Sequence, residues 1–215
     1  MLTVWGRHSS FNLQKVMWLV DELGLPHKHV EVGGKFGGLD RPEFLAMNPH
    51  GRVPVLQDGE TVVWESHTIL RYLAARYGKQ QYWSDDPATR SLAERWMDWS
   101  HTTLQPDFLI GVFWGFYRTP ADKRDMPRVK AAIARTNRDL AQLDKQLAGK
   151  KFLLGDTFSL ADIPAGTHLF RYYGLEIERP SLPNVERWYR TLQERAPYRA
   201  HVMLPFDELF GRLID

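Results

Sequence analysis

The proline in the stretch NPHGRVPVL, residues 48–56, restricts how this chain can fold. The residues after it form a short apolar run typical of a strand, yet Pro54 has no N–H group to donate to a sheet. Pro54 must therefore stand at the first residue of a strand, on an edge strand or at a bulge. A cis peptide bond before it is the other possibility, since cis prolines usually occur in tight turns.

Strand and helix patterns alternate around this proline. The run LTVW predicts a strand that ends at Gly6, and apolar residues then recur at helical spacing from Phe11 until Gly24. HKHVEV alternates as a second strand, and a glycine-rich loop leads to a short helix. VPVLQDGETVVW contains an Asp-Gly turn signal and predicts a hairpin, which a further helix ending at Gly78 follows. The predicted order over residues 1–78 is β-α-β-α-β-β-α.

Strand patterns disappear after residue 78. The polar stretch at residues 79–87 is typical of a linker, and helical periodicity dominates residues 88–215. One long helix is expected to run from Leu92 to Tyr117, bent near Pro106, Gly111 and Gly115. The predicted fold class is a small α/β domain joined to a larger all-α domain.

Composition excludes several classes of function. The 28 basic and 26 acidic residues are interspersed and give a net charge of only +2, so no nucleic-acid partner is indicated. The eight histidines form no metal-binding motif, and the absence of cysteine rules out disulfides and thiolate ligands. We find no long apolar run and no secretory-type leader, so we expect no membrane partner and a cytoplasmic location.

Four separated stretches carry a family resemblance: NPHGRVPVL at 48–56, WES at 64–66, GDTFSLADI at 155–163 and LPNVERWYRTLQERAP at 182–197. Together they resemble the cytosolic glutathione transferases, and the chain is most similar to bacterial and theta-like members with serine or asparagine at the active site. The resemblance implies a thioredoxin-like domain at 1–78 that binds glutathione as co-substrate. It also implies an all-α domain at 88–215 and no metal.

The loop between the first strand and the first helix carries the predicted catalytic residues. Comparison with theta-like relatives assigns Ser10 to the catalytic serine, and some bacterial relatives assign Asn12 to an asparagine that faces the sulfur. Ser9 is a third candidate. A donor at a helix N-terminus favours the thiolate of a bound thiol, whose reference pKa is about 8.5. The alternative is that one of these residues only caps the helix.

Two further segments are implied to hold the tripeptide backbone. In the family the bond between Val53 and Pro54 is cis and turns the Val53 backbone toward the cysteinyl group of glutathione. Arg52, with His50 and Lys35 in loops nearby, is implied to hold the glycine carboxylate. Solvated surface charge is the alternative for these three cationic residues.

The helix after the hairpin predicts an anion site at its N-terminus. Ser66 is expected to be its N-cap, and three residues later Ile69 supplies no carboxylate to close a capping box. Its first N–H groups are therefore left for the γ-glutamyl carboxylate of glutathione, while Glu65 pairs with the amino group. Ser159 differs, because Asp162 follows it at the capping-box spacing and predicts a structural role.

The resemblance implies that the thiolate attacks a small electrophile in a pocket of the all-α domain. The apolar stretch FLIGVFWGFYR suggests Phe113, Trp114 or Tyr117 as lining residues, although most aromatics at this spacing belong to a core. A homodimer is also implied. The alternatives are a catalytically silent scaffold or regulator of the same fold, a glutathione-dependent isomerase, and a disulfide reductase.

Overall fold

The computed structural model describes residues 1–212, which form two compact units. The first, here the sheet unit, contains Met1–Asp86 and Ala196–Leu204. The second, here the helical unit, contains Pro87–Arg195 and the described residues from Pro205 onward. The predicted fold class, an α/β domain and an all-α domain, is confirmed.

The sheet unit follows the predicted order of elements. A four-stranded sheet carries helices between its strands and after its hairpin. The elements are β1 (Leu2–Trp5), α1 (Phe11–Glu22), β2 (His27–Val30), a 3₁₀ turn (Gly34–Phe36), α2 (Pro42–Met47), β3 (Val55–Asp58), β4 (Thr61–Trp64), α3 (Ser66–Tyr77), α4 (Lys79–Tyr82) and α9 (Ala196–His201).

The strands lie in the order β2-β1-β3-β4. Strand β2 is parallel to β1, whereas β3 is antiparallel to β1 and β4 is antiparallel to β3. Pro54 lies immediately before β3, which satisfies the sequence constraint because the missing N–H is not needed inside the strand. The predicted hairpin is present, but Asp58 is the last residue of β3, and Gly59 and Glu60 form the two-residue loop to β4.

The core of the sheet unit is formed where α1 and α3 pack together beside the strands. Val4 of β1, Leu56 of β3, Leu19 of α1 and Leu70 of α3 are all fully buried. Burying one such side chain stabilises the fold by about 1.5–3 kcal/mol. Because α1 contacts both α3 and α9, it is buried nearly all round rather than on one face.

The boundaries of the two units differ from the sequence prediction at two places. The stretch predicted as a linker, residues 79–87, contains the short helix α4. Residues 196–204, predicted to belong to the all-α domain, are part of the sheet unit. The physical reason is tertiary: the ring of Tyr198 meets that of Trp18 edge-to-face at 4.7 Å, and His201 Nε2 lies 2.6 Å from Asp21 Oδ2.

The helical unit is built from five helical segments and two short 3₁₀ turns. The segments are α5 (Pro87–Trp99), a π-helical segment (Ser100–Arg118), α6 (Met126–Gln146), α7 (Asp162–Gly174) and α8 (Pro183–Gln193), and the turns are Ala121–Lys123 and Asp207–Leu209.

The predicted long helix begins at Pro87 and continues without a break from α5 into the π-helical segment. Pro106 lies inside that segment. Gly111 permits close packing against α6, because a Cβ there would lie only 2.7 Å from the Cβ of Ala132. Glycine is therefore needed at this position for packing between the two helices.

Asp162 connects the start of α7 to two other parts of the helical unit. Its Oδ1 accepts hydrogen bonds from Leu153 N at 2.9 Å and Trp188 Nε1 at 3.1 Å. Its Oδ2 accepts from Ser159 N at 2.9 Å and Ser159 Oγ at 3.1 Å, as the capping box predicts. Burial raises the pKa of Asp162 to about 6, although all four donors act in the opposite direction.

We expect Asp162→Asn to lower the free energy of unfolding by about 2–4 kcal/mol, because one carboxylate oxygen becomes an NH₂ group that faces buried donors. Urea unfolding of the two proteins measures the difference. Asp156→Asn, at an exposed position in the same loop, is the matched control and should change stability by less than about 0.5 kcal/mol. Equal effects of the two substitutions would contradict this role of Asp162.

Candidate functional site

The sheet register aligns the predicted site segments at one edge of the sheet. Val30 pairs with Trp5, Trp5 with Val55, and Val55 with Trp64, so these four residues form a row across all four strands. The chain leaves the row after β1, β2 and β4 and enters it at β3. The segments that join this row carry the predicted residues of the sheet unit: Ser10, Asn12, Lys35, His50, Arg52, Val53, Pro54, Glu65 and Ser66.

Ser10 is the N-cap of α1, and only 8% of it is exposed. Its Oγ accepts a long hydrogen bond, 3.5 Å, from Leu13 N. A hydroxyl that accepts in this way still has its own O–H to donate. The capping and the catalytic interpretations of Ser10 are therefore compatible.

Asn12 lies in the first turn of α1 and is half-buried. Its Oδ1 accepts a hydrogen bond from Lys15 Nζ at 3.0 Å. We find no hydrogen bond from its Nδ2 to another residue of the described part of the chain. The amide nitrogen of Asn12 is thus available as a donor.

Lys15 is fully buried and links two of the predicted segments. Besides its bond to Asn12, its Nζ lies 3.2 Å from Nε2 of His67, the second residue of α3, and 4.8 Å from the centre of the Phe11 ring. Burial lowers the pKa of Lys15 from 10.5 to about 7, and the Glu65 carboxylate opposes part of this shift.

Sequence reasoning did not select Lys15 or His67. The available signal was a charged residue within an otherwise apolar helix, since Leu13, Val16 and Leu19 of α1 are all buried. A fully buried lysine is rare in a protein core, which favours a functional explanation.

The peptide bond between Val53 and Pro54 is cis. The loop before it is held by Asn48, which is buried, donates from Nδ2 to Arg52 O at 2.8 Å and accepts from His50 N at 3.1 Å. Among residues 1–212, no backbone hydrogen bond to the N–H or C=O of Val53 is found. The Val53 backbone is therefore available to pair with an extended ligand.

The start of α3 differs by one residue from the sequence prediction. Ser66 was expected to be the N-cap, but it is the first helical residue and Glu65 occupies the cap position. The reason is the backbone of Glu65, which has φ 69° and ψ 118° and already accepts the Ile69 N–H through its carbonyl at 2.9 Å. No side chain caps this helix, so the N–H groups of its first turn are open, whereas a cap by Ser66 was predicted.

The three predicted basic residues lie in exposed loops. His50 packs its ring against Trp64, with 5.2 Å between the ring centres, and Trp64 directly precedes Glu65. Arg52 is exposed beside the cis bond. Lys35 lies in the 3₁₀ turn after β2, with its Nζ over the ring of Phe36 at 5.2 Å.

The three aromatic residues predicted to line an electrophile pocket occupy different environments within the helical unit. Phe113 is fully buried and stacks on Tyr117, with 5.3 Å between the ring centres. Trp114 is half-buried and lines a cavity of about 500 Å³. Lys123, Asp125 and Arg128 also line that cavity, so charges of both signs are present there.

Comparison with known proteins decides the family. Residues 5–81 match the glutathione S-transferase N-terminal domain, and residues 106–196 match the glutathione S-transferase C-terminal domain. The chain is 40% identical to glutathione S-transferase GstB of Escherichia coli strain K12, over 95% of this chain and 99% of that protein. The chain belongs to the glutathione S-transferase family.

Solved structures agree with this assignment. A theta-class glutathione S-transferase of Xanthomonas axonopodis pv. citri with glutathione bound has a TM-score of 0.89 and 43% identity, covering 95% of this chain and 98% of that one. The apo form from the same organism has a TM-score of 0.82 and 38% identity, covering 95% and 97%. The protein is accordingly a transferase with a thioredoxin-like N-terminal domain and a helical C-terminal domain.

Two kinds of feature are absent from residues 1–212 of this glutathione S-transferase. No group of three or more histidine, aspartate or glutamate side chains is arranged to hold a metal ion. None of the helices described is long and apolar enough to span a membrane.

The buried lysine of the transferase should make its stability depend on pH. Because burial lowers the pKa of Lys15 in the folded protein, the unfolded chain binds more protons between about pH 7 and 10.5. The free energy of unfolding should therefore rise with pH across this window, by about 1 kcal/mol per pH unit from this residue. Below the window, the full penalty of burying the charge remains.

We expect Lys15→Met to remove this contribution. The unfolding free energy of the native protein, relative to that of the variant, should then increase as the pH rises. Urea unfolding of both proteins at about pH 7, 8 and 9 gives the difference directly. A difference that stays constant over this range would contradict a lowered pKa for Lys15.

Proposed function

We propose that the protein binds glutathione along the edge of the sheet unit and transfers its thiolate to a small electrophile. The observation that carries the proposal is the row Val30–Trp5–Val55–Trp64, because it aligns donors for a thiol, an open strand backbone and an uncapped helix N-terminus. These three features match the sulfur, the peptide backbone and the α-carboxylate of an extended tripeptide.

The γ-glutamyl end of glutathione fits the start of α3. The first N–H groups of this 12-residue helix have no side-chain cap, and the positive end of the helix dipole favours an anion there. Ser66 adds a hydroxyl in the first turn. Glu65 supplies a carboxylate that can pair with the α-amino group beside it.

The middle and the glycyl end of the tripeptide fit the loop before β3. The unpaired N–H and C=O of Val53 can form a short antiparallel pairing with the cysteinyl residue. Arg52, whose backbone is held by Asn48, and Lys35 supply positive charge for the glycine carboxylate, and His50 supplies an imidazole ring beside them.

The chemistry assigned to this chain is activation of the thiol. The O–H of Ser10 and the N–H of Asn12 can both donate to a thiolate at the N-terminus of α1. Such donors lower the thiol pKa from about 8.5 and so raise the thiolate fraction at neutral pH. The chain contains no cysteine, so the thiolate that attacks the electrophile comes from glutathione.

The proposal is tested by calorimetry with glutathione, followed by turnover of aryl halides, alkyl halides, epoxides and organic peroxides. Binding together with conjugation of at least one electrophile supports it. Binding without turnover would instead support the scaffold alternative, and reduction of a disulfide by two glutathione molecules would support the reductase. Absence of glutathione binding rejects the assignment altogether.

We expect Ser10→Ala and Asn12→Ala each to raise the thiol pKa of bound glutathione by about one to two units, because each removes a hydrogen bond to a charged group. Titration of the thiolate absorbance measures the pKa. Ser10→Ala should also lower stability by about 1 kcal/mol through the lost cap, whereas Asn12→Ala removes no cap. Ser9→Ala is the control, and an effect confined to it would move the assignment to Ser9.

Substitutions of Glu65 should affect the stability of the fold and the affinity for glutathione differently. Its positive φ is strained for a residue with a side chain, so Glu65→Gly should be more stable than Glu65→Gln, which keeps the strain, by about 1 kcal/mol. Both substitutions remove the carboxylate and should weaken glutathione binding at least about 10-fold. Unfolding curves and calorimetry give the two quantities. Unchanged affinity in Glu65→Gln would show that the carboxylate does not bind glutathione.

The electrophile pocket and the homodimer remain predictions. Of the predicted aromatics, Trp114 is the candidate for contact with a ligand, because it lines a cavity of the helical unit, whereas Phe113 is fully buried. For the homodimer, light scattering should give twice the chain mass of 25.0 kDa. A mass of one chain would reject it.

A further inference from the structure

Lys15 joins two segments that the proposed function assigns to opposite ends of glutathione. Its Nζ contacts Asn12 at 3.0 Å, which belongs to the thiol end, and His67 at 3.2 Å, which follows Ser66 at the γ-glutamyl end. Lys15 itself is fully buried. A single side chain thus connects the N-terminal turns of α1 and α3.

The contact with Asn12 fixes which way its amide faces. An ammonium group has three donors and no acceptor, so it can bind only the oxygen of the Asn12 carboxamide. The NH₂ group lies on the opposite side of the carboxamide from that oxygen. Within residues 1–212 no partner of this Asn12 nitrogen is found, so it is left to donate to a ligand.

We propose that Lys15 is a positioning residue for thiol activation, because it holds the Asn12 carboxamide in the orientation that donates an N–H to the glutathione sulfur. The inference rests on the proposed function. Without Lys15 the carboxamide can rotate by half a turn and present its oxygen, which repels a thiolate. Lys15 acts through Asn12 and has no contact with the sulfur in this assignment.

Burial of the charged Lys15 destabilises the folded protein, which supports a functional reason for a lysine at this position. Val16 and Leu19 on the same helix are buried apolar residues, and an apolar side chain at position 15 would avoid the desolvation that lowers the pKa of Lys15. The titratable groups that face its ammonium are His67, whose Nε2 accepts when Lys15 is charged, and Glu65, whose carboxylate favours the charged form.

Deprotonation of Lys15 should weaken the orientation of Asn12. A neutral amine can accept as well as donate, so it can bind either the oxygen or the NH₂ group of the carboxamide. The preference for the oxygen is then lost at pH values above the pKa of Lys15. Thiol activation should therefore depend on the protonated form of a group that does not itself touch glutathione.

The experiment compares Lys15→Met with the native protein and with Lys28→Met, an exposed lysine of β2, as control. The readouts are the thiol pKa of bound glutathione from thiolate absorbance and the glutathione affinity from calorimetry. Lys15→Met should raise the thiol pKa by about one unit and change the affinity by less than about three-fold. Lys28→Met should change neither quantity.

A double-mutant cycle tests whether Lys15 acts through Asn12. In an Asn12→Ala background, Lys15→Met should raise the thiol pKa by less than about 0.3 unit, because the group that it positions is absent. An equal effect in both backgrounds would overturn the inference, since Lys15 would then act directly as a charge. An unchanged thiol pKa in Lys15→Met would overturn it as well.

A second variant keeps the test informative if Lys15→Met does not fold. Asn12→Asp retains a partner for Lys15 but has no N–H, so it should raise the thiol pKa at least as much as Asn12→Ala. A thiol pKa equal to that of the native protein would overturn the inference while glutathione still binds. If the native protein does not bind glutathione, the proposed function is rejected instead. Failure of the inference and failure of the proposed function are therefore distinguishable.

Discussion

Strand β3 pairs antiparallel with β1 on one side and with β4 on the other, and this pairing aligns Trp5, Val55 and Trp64 across the sheet. A slip of one residue would move every side chain of β3 to the opposite face, so the packing of the buried Val55 and Leu56 on the two faces restricts the register. The same register brings the loop after β1, the cis bond before β3 and the turn after β4 to one edge. The position of the candidate site is thus a consequence of core packing.

The stabilising interactions of the fold and the unfavourable features of the site are spatially separated. Buried apolar residues in β1, β3, α1 and α3 stabilise the sheet unit. At the edge, Glu65 has a strained backbone, the first turn of α3 lacks a cap, and Lys15 is buried with a lowered pKa. Strain and unmet polar groups of this kind are typical of functional sites, where a ligand supplies the missing interactions.

Local patterns in the sequence predicted most of the sheet unit. Pro54 could stand only at a strand boundary, a sheet edge or a bulge, and it lies directly before β3. The Asp58-Gly59 signal predicted the hairpin, and the helix periodicities predicted α1 and α3. The start of α3 was wrong by one residue, because a positive φ at Glu65 leaves no signal in the sequence. Helix ends are set by such backbone details as much as by residue type.

Long-range contacts were the part that the sequence did not reveal. Helix α9 belongs to the sheet unit because Tyr198 packs on Trp18 and His201 pairs with Asp21, and both pairs join positions 180 residues apart. Nothing in the local pattern of residues 196–201 distinguishes a helix that packs in this way from one more helix of the all-α domain. His67 was missed for the same reason, since its contact with Lys15 spans 52 residues.

Asp162 and Lys15 show how a buried charge in a structural role differs from one in a candidate functional role. Asp162 accepts four hydrogen bonds, two of them from the buried donors Leu153 N and Trp188 Nε1, so its carboxylate organises the start of α7. Lys15 donates to a half-buried amide and lies within hydrogen-bond distance of a histidine, and a neutral donor would satisfy the amide oxygen equally well. An apolar side chain could replace Lys15 in the core but could not bind the Asn12 oxygen and so orient the amide. The orientation of the Asn12 amide, rather than the stability of α1, therefore explains why a lysine is buried at position 15.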